Sequence, residues 1–286
     1  MSIRFLILEG NTRDVRNTYK ASQGVTPAEG FGNTMVRVAG TGTYDILNGT
    51  DADASLPKGM TFADYDGVII TGSALHIWHQ EPEAMRQVEI ARAVFKASVP
   101  FYGSCWGLQV ATVAAGGVVH KNPRGREMGF ARQITRLPAG EGHPLLAGRA
   151  PAFDAPCSHL DEVATLPPDS TLLASNAMSR VQAAEIRHEG GTFWGVQYHP
   201  EYTMSDIAFL IDKRMGALMN EGFFADPVQK DAYVADLHAI EKDPSLTHVA
   251  WRYGLGQDIT DTATRNTELR NFIEYRVKPR AVARAA

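Results

Sequence analysis

The chain has 286 residues, 44% of them hydrophobic, with 28 Lys and Arg against 32 Asp and Glu for a formal charge of −4. That length can bury a large core in one big α/β domain or a domain with an extension, and the mixed, mildly acidic charge has no basic run of the kind nucleic acid requires. No apolar run is long enough to span a membrane, residues 3–8 are too short and too charged for a secretion signal, and two cysteines make no disulfide framework, so a reducing cytoplasm is the expected location.

Residues 3–8 predict a buried first strand ending at Glu9-Gly10-Asn11, on the carboxyl edge of a sheet where open α/β folds place ligands. Glu9 is expected there as a solvated strand-end carboxylate, with substrate contact as the alternative. Residues 11–22 suit a short polar helix, Met35 to Val38 a second strand, and the glycines, threonines and aspartates of residues 40–43 and 48–51 signal loops. The stretch 11–61 is therefore either surface decoration or a border of the site. Val68-Ile69-Ile70-Thr71-Gly72-Ser73 is an apolar strand entering a glycine turn.

His76, Trp78 and His79 lack the carboxylate or cysteine spacing of a metal site, so aromatic walls around a substrate are expected, with a plain surface loop as the alternative. Trp78 is taken as substrate-binding. Pro82 opens a helix carrying Met85, Val88, Ala91 and Phe95 at helical spacing, which completes a βαβ crossover into the strand at Val99-Pro100-Phe101-Tyr102.

Gly103-Ser104-Cys105-Trp106-Gly107-Leu108-Gln109 follows, and then a small, apolar helix running to Gly116-Gly117. A nucleophile flanked by glycines between strand and helix sits on a sharp elbow, and the positive end of the helix dipole favours thiolate there. A buried structural cysteine is the alternative.

Downstream, residues 129–134 and 153–160 read as strands, Cys157-Ser158-His159 as packing, and residues 183–198 as a hairpin turning at Glu189-Gly190. The hairpin delivers Gly195-Val196-Gln197-Tyr198-His199-Pro200-Glu201. In extended chain residues two apart share a face, so His199 and Glu201 are expected to point the same way, one as base and the other as its orienter. Cys105, His199 and Glu201 then supply all three members of a catalytic triad. Ser205 is expected to cap a helix with Ile207, Leu210, Ile211 and Leu218 on one stripe, ended by Gly222. Asp226-Pro227 opens another helix, a further one surrounds Leu269, Phe272 and Ile273, and residues 280–286 read as disordered.

The paired motifs Gly-x-Cys-x-Gly-x-Gln and Gly-Val-Gln-x-His-Pro-Glu resemble those of class I glutamine amidotransferases, and Asp64 to Ser73, Asn122-Pro123 with Glu127 to Phe130, and Ser158 to Val163 resemble further segments of that family. The likeness covers roughly residues 3 to 218. It implies an α/β fold, with a mostly parallel central sheet flanked by helices in the flavodoxin-like manner, over residues 1–222, and leaves 223–286 as a helical C-terminal extension. That extension would cover the pocket, build a homodimer or lengthen the core.

By the same resemblance the backbone of Gly72 and Ser73 with the N–H of Trp106 forms the oxyanion hole, and the backbone around Ser158 and His159 holds the glutamyl amino group. Gln109, whose amide both donates and accepts, suits the α-amino and α-carboxylate groups. Neither metal nor cofactor is implied. The expected activity is hydrolysis of the γ-glutamyl amide of a small-molecule γ-glutamylated amine or peptide, or of glutamine, through a γ-glutamyl thioester. The alternatives are a glutaminase subunit delivering ammonia to a separate partner synthetase, and a non-catalytic binding protein on the same fold. Tyr102, Trp106, Trp78 and Phe130 would suit a bulky leaving amine, although aromatics beside an elbow commonly belong to the core.

Overall fold

The computed structural model describes residues 2–285. Its strands, in chain order, are β1 (Arg4–Glu9), β2 (Thr43–Asn48), β3 (Gly67–Ile70), β4 (Phe101–Ser104), β5 (Val118–Lys121), β6 (Glu127–Arg136), β7 (Ala152–His159), β8 (Asp161–Thr165), β9 (Ser170–Ser175), β10 (Ala183–His188) and β11 (Gly191–Val196). Nine of them form one sheet in the order β2-β1-β3-β4-β11-β10-β9-β6-β7. From β2 to β11 neighbours run parallel, and β10, β9, β6 and β7 extend that array as an antiparallel flank. β5 and β8 pair separately.

Helices cover both faces of the parallel part, which is why β1 is continuously apolar from Phe5 to Leu8 rather than alternating. Phe5 and Ile7 pack on one face against α2 (Pro27–Ala39), which follows α1 (Arg13–Gln23). Leu6 and Leu8 face α3 (Pro82–Lys96) and α4 (Trp106–Ala114) on the other. α5 (Pro138–Glu141) is a single turn, and α6 (Met204–Lys213) and α7 (Met215–Asn220) break at Arg214.

The C-terminal helices are α8 (Pro227–Lys242), α9 (Thr247–Arg252), α10 (Gln257–Thr260), α11 (Thr262–Arg265), α12 (Thr267–Phe272) and α13 (Lys278–Ala285). Asp226 caps α8 by accepting from the N–H of Gln229 at 2.8 Å, as the Asp-Pro pair anticipates. Leu269, Phe272, Ile273, Val277 and Ala281 enter the same hydrophobic cluster as Ile3, Phe5 and Tyr102. The extension therefore lengthens the core.

Four local expectations are corrected. Met35 to Val38 lies in α2, because a Thr26–Glu29 capping box and Pro27 at the first turn start a helix that a short β-branched run does not stop. The second strand is instead Thr43–Asn48, between the two segments read as loops and taking in one end residue of each. Thr203, not Ser205, caps α6, in a reciprocal box with Asp206. Residues 280–285 are helical, anchored by Arg280 to the carbonyls of Tyr65 and Ala63 and by Arg284 to Asp66; Ala286 lies outside the described residues.

Candidate active site

Cys105 joins β4 to α4 with φ 50° and ψ −99°, a left-handed conformation that a non-glycine residue holds only under constraint. The constraint is the close approach of strand and helix. A Cβ on Gly103 would sit 2.7 Å from the Cα of Gly107, so any side chain at 103 would force the elbow open. The Cys105 N–H donates to the Val196 carbonyl at 2.7 Å and ties the elbow to the end of β11. The residue is 5% exposed, and its sulfur lies 3.9 Å from the carbonyl oxygen of Ser158.

β11 runs parallel to β4 in the register Val196 to Ser104, so its carboxyl end brings His199 beside the elbow. The His199–Glu201 pair is present, with Nδ1 and Oε1 2.6 Å apart. Extended alternation does not make it: the Tyr202 N–H closes a turn onto the His199 carbonyl at 3.1 Å, and the turn folds Glu201 back under the ring. A carboxylate on Nδ1 fixes the tautomer and leaves Nε2 as the free base nitrogen. The ring stacks on Tyr202 at 3.8 Å and 4°, and its Cε1 edge meets Gly72, where a Cβ would come within 2.9 Å of Cε1.

The Ser104 hydroxyl donates to the second Glu201 oxygen at 2.9 Å. From the sequence, the side chains of Ser104 and Trp106 in the elbow are expected to bear on pocket shape rather than on the thiol. Neither does so: Ser104 anchors Glu201, and the Trp106 indole is buried with Nε1 donating to Gln87 at 2.8 Å.

Cys105, His199, Glu201, Gly72 and Ser73 line one cavity of about 330 Å³. Among the described residues the Gly72 and Ser73 N–H groups donate to no protein oxygen. Asn11, which also lines this cavity, holds the loop by donating to the Gly72 carbonyl at 2.9 Å and accepting from the Ala74 N–H at 3.2 Å. Glu9 is neither solvated nor a substrate contact. It is fully buried, accepting from the backbone and side chain of Asn11 and from Ala28 at 2.9 Å each, and burial raises its carboxyl above the usual range.

Burial pushes the Cys105 thiol up to about 12, and the carboxylates of Asp161 and Glu201 push the same way. Arg214 and the backbone N–H of Trp106 oppose them without prevailing, so the resting sulfur is a thiol rather than the thiolate expected from the helix dipole alone.

The sequence model of the Glutamine amidotransferase class-I family matches residues 41–213. A γ-glutamyl-L-1-hydroxyisopropylamide hydrolase from Pseudomonas sp. is 31% identical over 284 residues, covering 98% of this chain and 95% of that protein.

The chain belongs to the class-I glutamine amidotransferase family.

A GMP synthase of Thiobacillus denitrificans is 33% identical over 178 residues, 58% of this chain but only 31% of the synthase. Among solved structures, a glutamine amidotransferase from Thermotoga maritima superposes with a TM-score of 0.68 over 97% of this chain and 99% of its own, at 15% identity, which establishes the shared fold.

In this amidotransferase fold a second cavity of about 200 Å³ adjoins Cys105, bordered by Gln109, Arg126, Ser158, His159, Asp161 and Arg214. Gln109 donates weakly to the Asp161 carbonyl at 3.4 Å. The His159 ring is committed elsewhere, to Glu127 at 2.8 Å and the Asp161 carbonyl at 3.0 Å. Among the described residues Oδ1 of Asp161, Oγ of Ser158 and Nη1 of Arg214 are buried without a hydrogen-bond partner. Such unpartnered atoms around a cavity are left for a ligand to satisfy.

Asp161 and Arg214 carry no separate signal in the sequence. The first lies inside a segment noted only for its family likeness, and the second is one arginine beyond an ordinary helix. Trp78 lies outside both cavities, 40% exposed and packed edge-on against His79. Tyr102, Trp106 and Phe130 are core residues that line neither cavity.

Proposed function

We propose that this chain is a cysteine-nucleophile hydrolase that cleaves the γ-glutamyl amide of a γ-glutamylated amine or peptide, or of glutamine, and releases glutamate. One observation carries the reading: Cys105 and the carboxylate-oriented His199 face one cavity, beside the unpaired N–H groups of Gly72 and Ser73. The Pseudomonas relative, whose name states this class of reaction, supports it.

The glutamyl group enters the smaller cavity, its α-amino group at Asp161 and Ser158 and its α-carboxylate at Arg214, with Gln109 alongside. The Cys105 sulfur attacks the γ-carbonyl as its proton passes to Nε2 of His199. A sulfur–carbon bond forms, and the carbonyl oxygen takes the negative charge opposite the N–H groups of Gly72, Ser73 and Trp106. As the carbon–nitrogen bond breaks, His199 gives that proton to the leaving amine. Water then adds to the thioester, passing a proton to His199, which returns it to sulfur as glutamate leaves. Glu201 holds the imidazolium in place through Nδ1.

Because the nucleophile starts as a thiol, attack and proton transfer must be concerted or closely coupled. The reading requires no metal or nucleotide, and a reducing cytoplasm would keep the thiol free. The test is glutamate release from glutamine and from a panel of γ-glutamyl amides, with an acid-quenched γ-glutamyl adduct located by mass spectrometry. Release and an adduct on Cys105 are expected. Glutamate release undiminished in Cys105→Ser would sink the mechanism, and activity confined to glutamine would favour ammonia delivery to a separate synthetase.

A further inference from the structure

The cavity of about 330 Å³ is walled in large part by a segment outside the stretch that matches the family. Its reacting end is Cys105, Gly72 and His199, while Tyr19, Val25, Pro27 and Phe31 come from the α1–α2 hairpin, residues 13–39, and Leu210 comes from α6. The hairpin is latched onto α6: the Tyr19 ring meets Phe209 edge-on at 4.9 Å, and the Lys213 ammonium lies 4.5 Å from the Tyr19 centroid. Glu9 fixes the hairpin from the opposite end through the Ala28 N–H. Exposed Gln23 and Lys213 mark the outer mouth.

A leaving group no larger than ammonia needs none of this room, whereas cavities of about 300 Å³ and above are the ordinary size for whole small ligands. The smaller cavity beside it carries buried, unpartnered polar atoms of Asp161, Ser158 and Arg214 suited to the glutamyl group, which leaves the larger one to the other side of the scissile bond.

We propose that the α1–α2 hairpin is the specificity element of this enzyme: it forms an apolar-walled subsite for the leaving amine and selects γ-glutamyl amides of organic amines several carbons long over glutamine. The inference rests on the hydrolase reading above. The nitrogen of the amine sits between Cys105 and His199, its carbon chain runs past Phe31 and Tyr202, and a polar end group meets Gln23 or Lys213 at the mouth.

Gly30 provides the test. It lines this cavity within α2 at an ordinary helical position, and a Cβ there would meet only Val25, at 3.8 Å, so a side chain can grow into the space without displacing backbone. For the wild type, kcat/KM relative to glutamine is expected to rise roughly two- to fourfold per added methylene from the γ-glutamyl methylamide to the butylamide. Across Gly30→Ala, Gly30→Leu and Gly30→Phe the butylamide-to-glutamine ratio of kcat/KM is expected to fall with side-chain volume, at least tenfold in the last by order of magnitude.

Both substrates are measured on the same sample, so a misfolded fraction cancels from the ratio. Should Gly30→Phe give no soluble protein, Thr34→Phe, one turn further along the same cavity wall, is read in the same way. A ratio that does not move in these variants, or a wild type indifferent to amine length, overturns the assignment while leaving the hydrolase reading intact. A wild type that hydrolyses no γ-glutamyl amide, glutamine included, overturns the hydrolase reading itself.

Discussion

The Cys105 sulfur is held in a site that disfavours its own ionisation, since burial and the neighbouring Asp161 and Glu201 outweigh Arg214 and the Trp106 N–H. Alkylation by iodoacetamide should therefore climb steadily as pH rises through about 9, the range in which an ordinary thiol saturates. A plateau near neutrality would reveal a thiolate already present. The same shift bears on stability. With its pKa raised to about 12, the folded chain keeps a proton that the unfolded chain loses near about 8.5, so this contribution is whole below that pH and is lost as pH rises towards 12. Ser104 is the second residue-scale case, because its hydroxyl donates to the orienting carboxylate. In Ser104→Ala, kcat should drop about tenfold with KM nearly unchanged, as steady-state kinetics would show. A parallel change in KM alone would point to substrate contact instead.

Among the elements, the β10–β11 hairpin matters most to the site because its second strand delivers His199. The hairpin is fastened by Glu185, which accepts from Trp194 Nε1 across the strands at 2.7 Å, meets Nε2 of His143 at 3.1 Å and pairs with Arg187. The His143 contact, followed by those to Trp194 and Arg187, outweighs burial and holds the carboxyl down to about 2. A depressed carboxylate stabilises the fold above its unfolded pKa, and that stability is lost as pH falls. The urea midpoint of the wild type should thus decline between about pH 5 and pH 2.5, and Glu185→Gln should start lower and change less over that range. Elements with a clear period are legible in the sequence itself: the Pro82 helix, the elbow helix and this hairpin each announce themselves by apolar spacing or a Glu-Gly turn. α2 is not, since Met35 to Val38 in isolation fits a strand, and the deciding signal is the capping box at its far end.

At the scale of the whole molecule, the C-terminal extension and the site are mechanically joined. Asn266 donates to the Pro200 carbonyl at 2.5 Å, in the middle of the turn that orients Glu201, and Tyr198 donates to Glu268 at 2.8 Å just before it. Glu268 is itself paired with Arg149 at 2.7 Å, with both side chains essentially out of solvent. Removing one member of such a pair strands the other charge, so Arg149→Ala should cost about 3–5 kcal/mol in chemical denaturation. Because Glu268 is coupled to Tyr198 and through it to the His199 turn, kcat should fall alongside. Destabilisation below about 1 kcal/mol would mean that Glu268 finds water, and the extension would then not be the clamp described here.

By itself the sequence located the candidate site residues and much of the local structure, because both are written in short range: glycines where a strand must turn tightly into a helix, apolar periods that separate strand from helix, and a histidine two residues from a carboxylate. Only the tertiary structure decided what those residues experience. That Ser104 holds Glu201, that the thiol rests protonated, that Arg214 and Asp161 face one small cavity, and that Trp78 faces none all depend on neighbours remote along the chain. Burial and pairing arise from distances between elements, and a local pattern does not encode those distances.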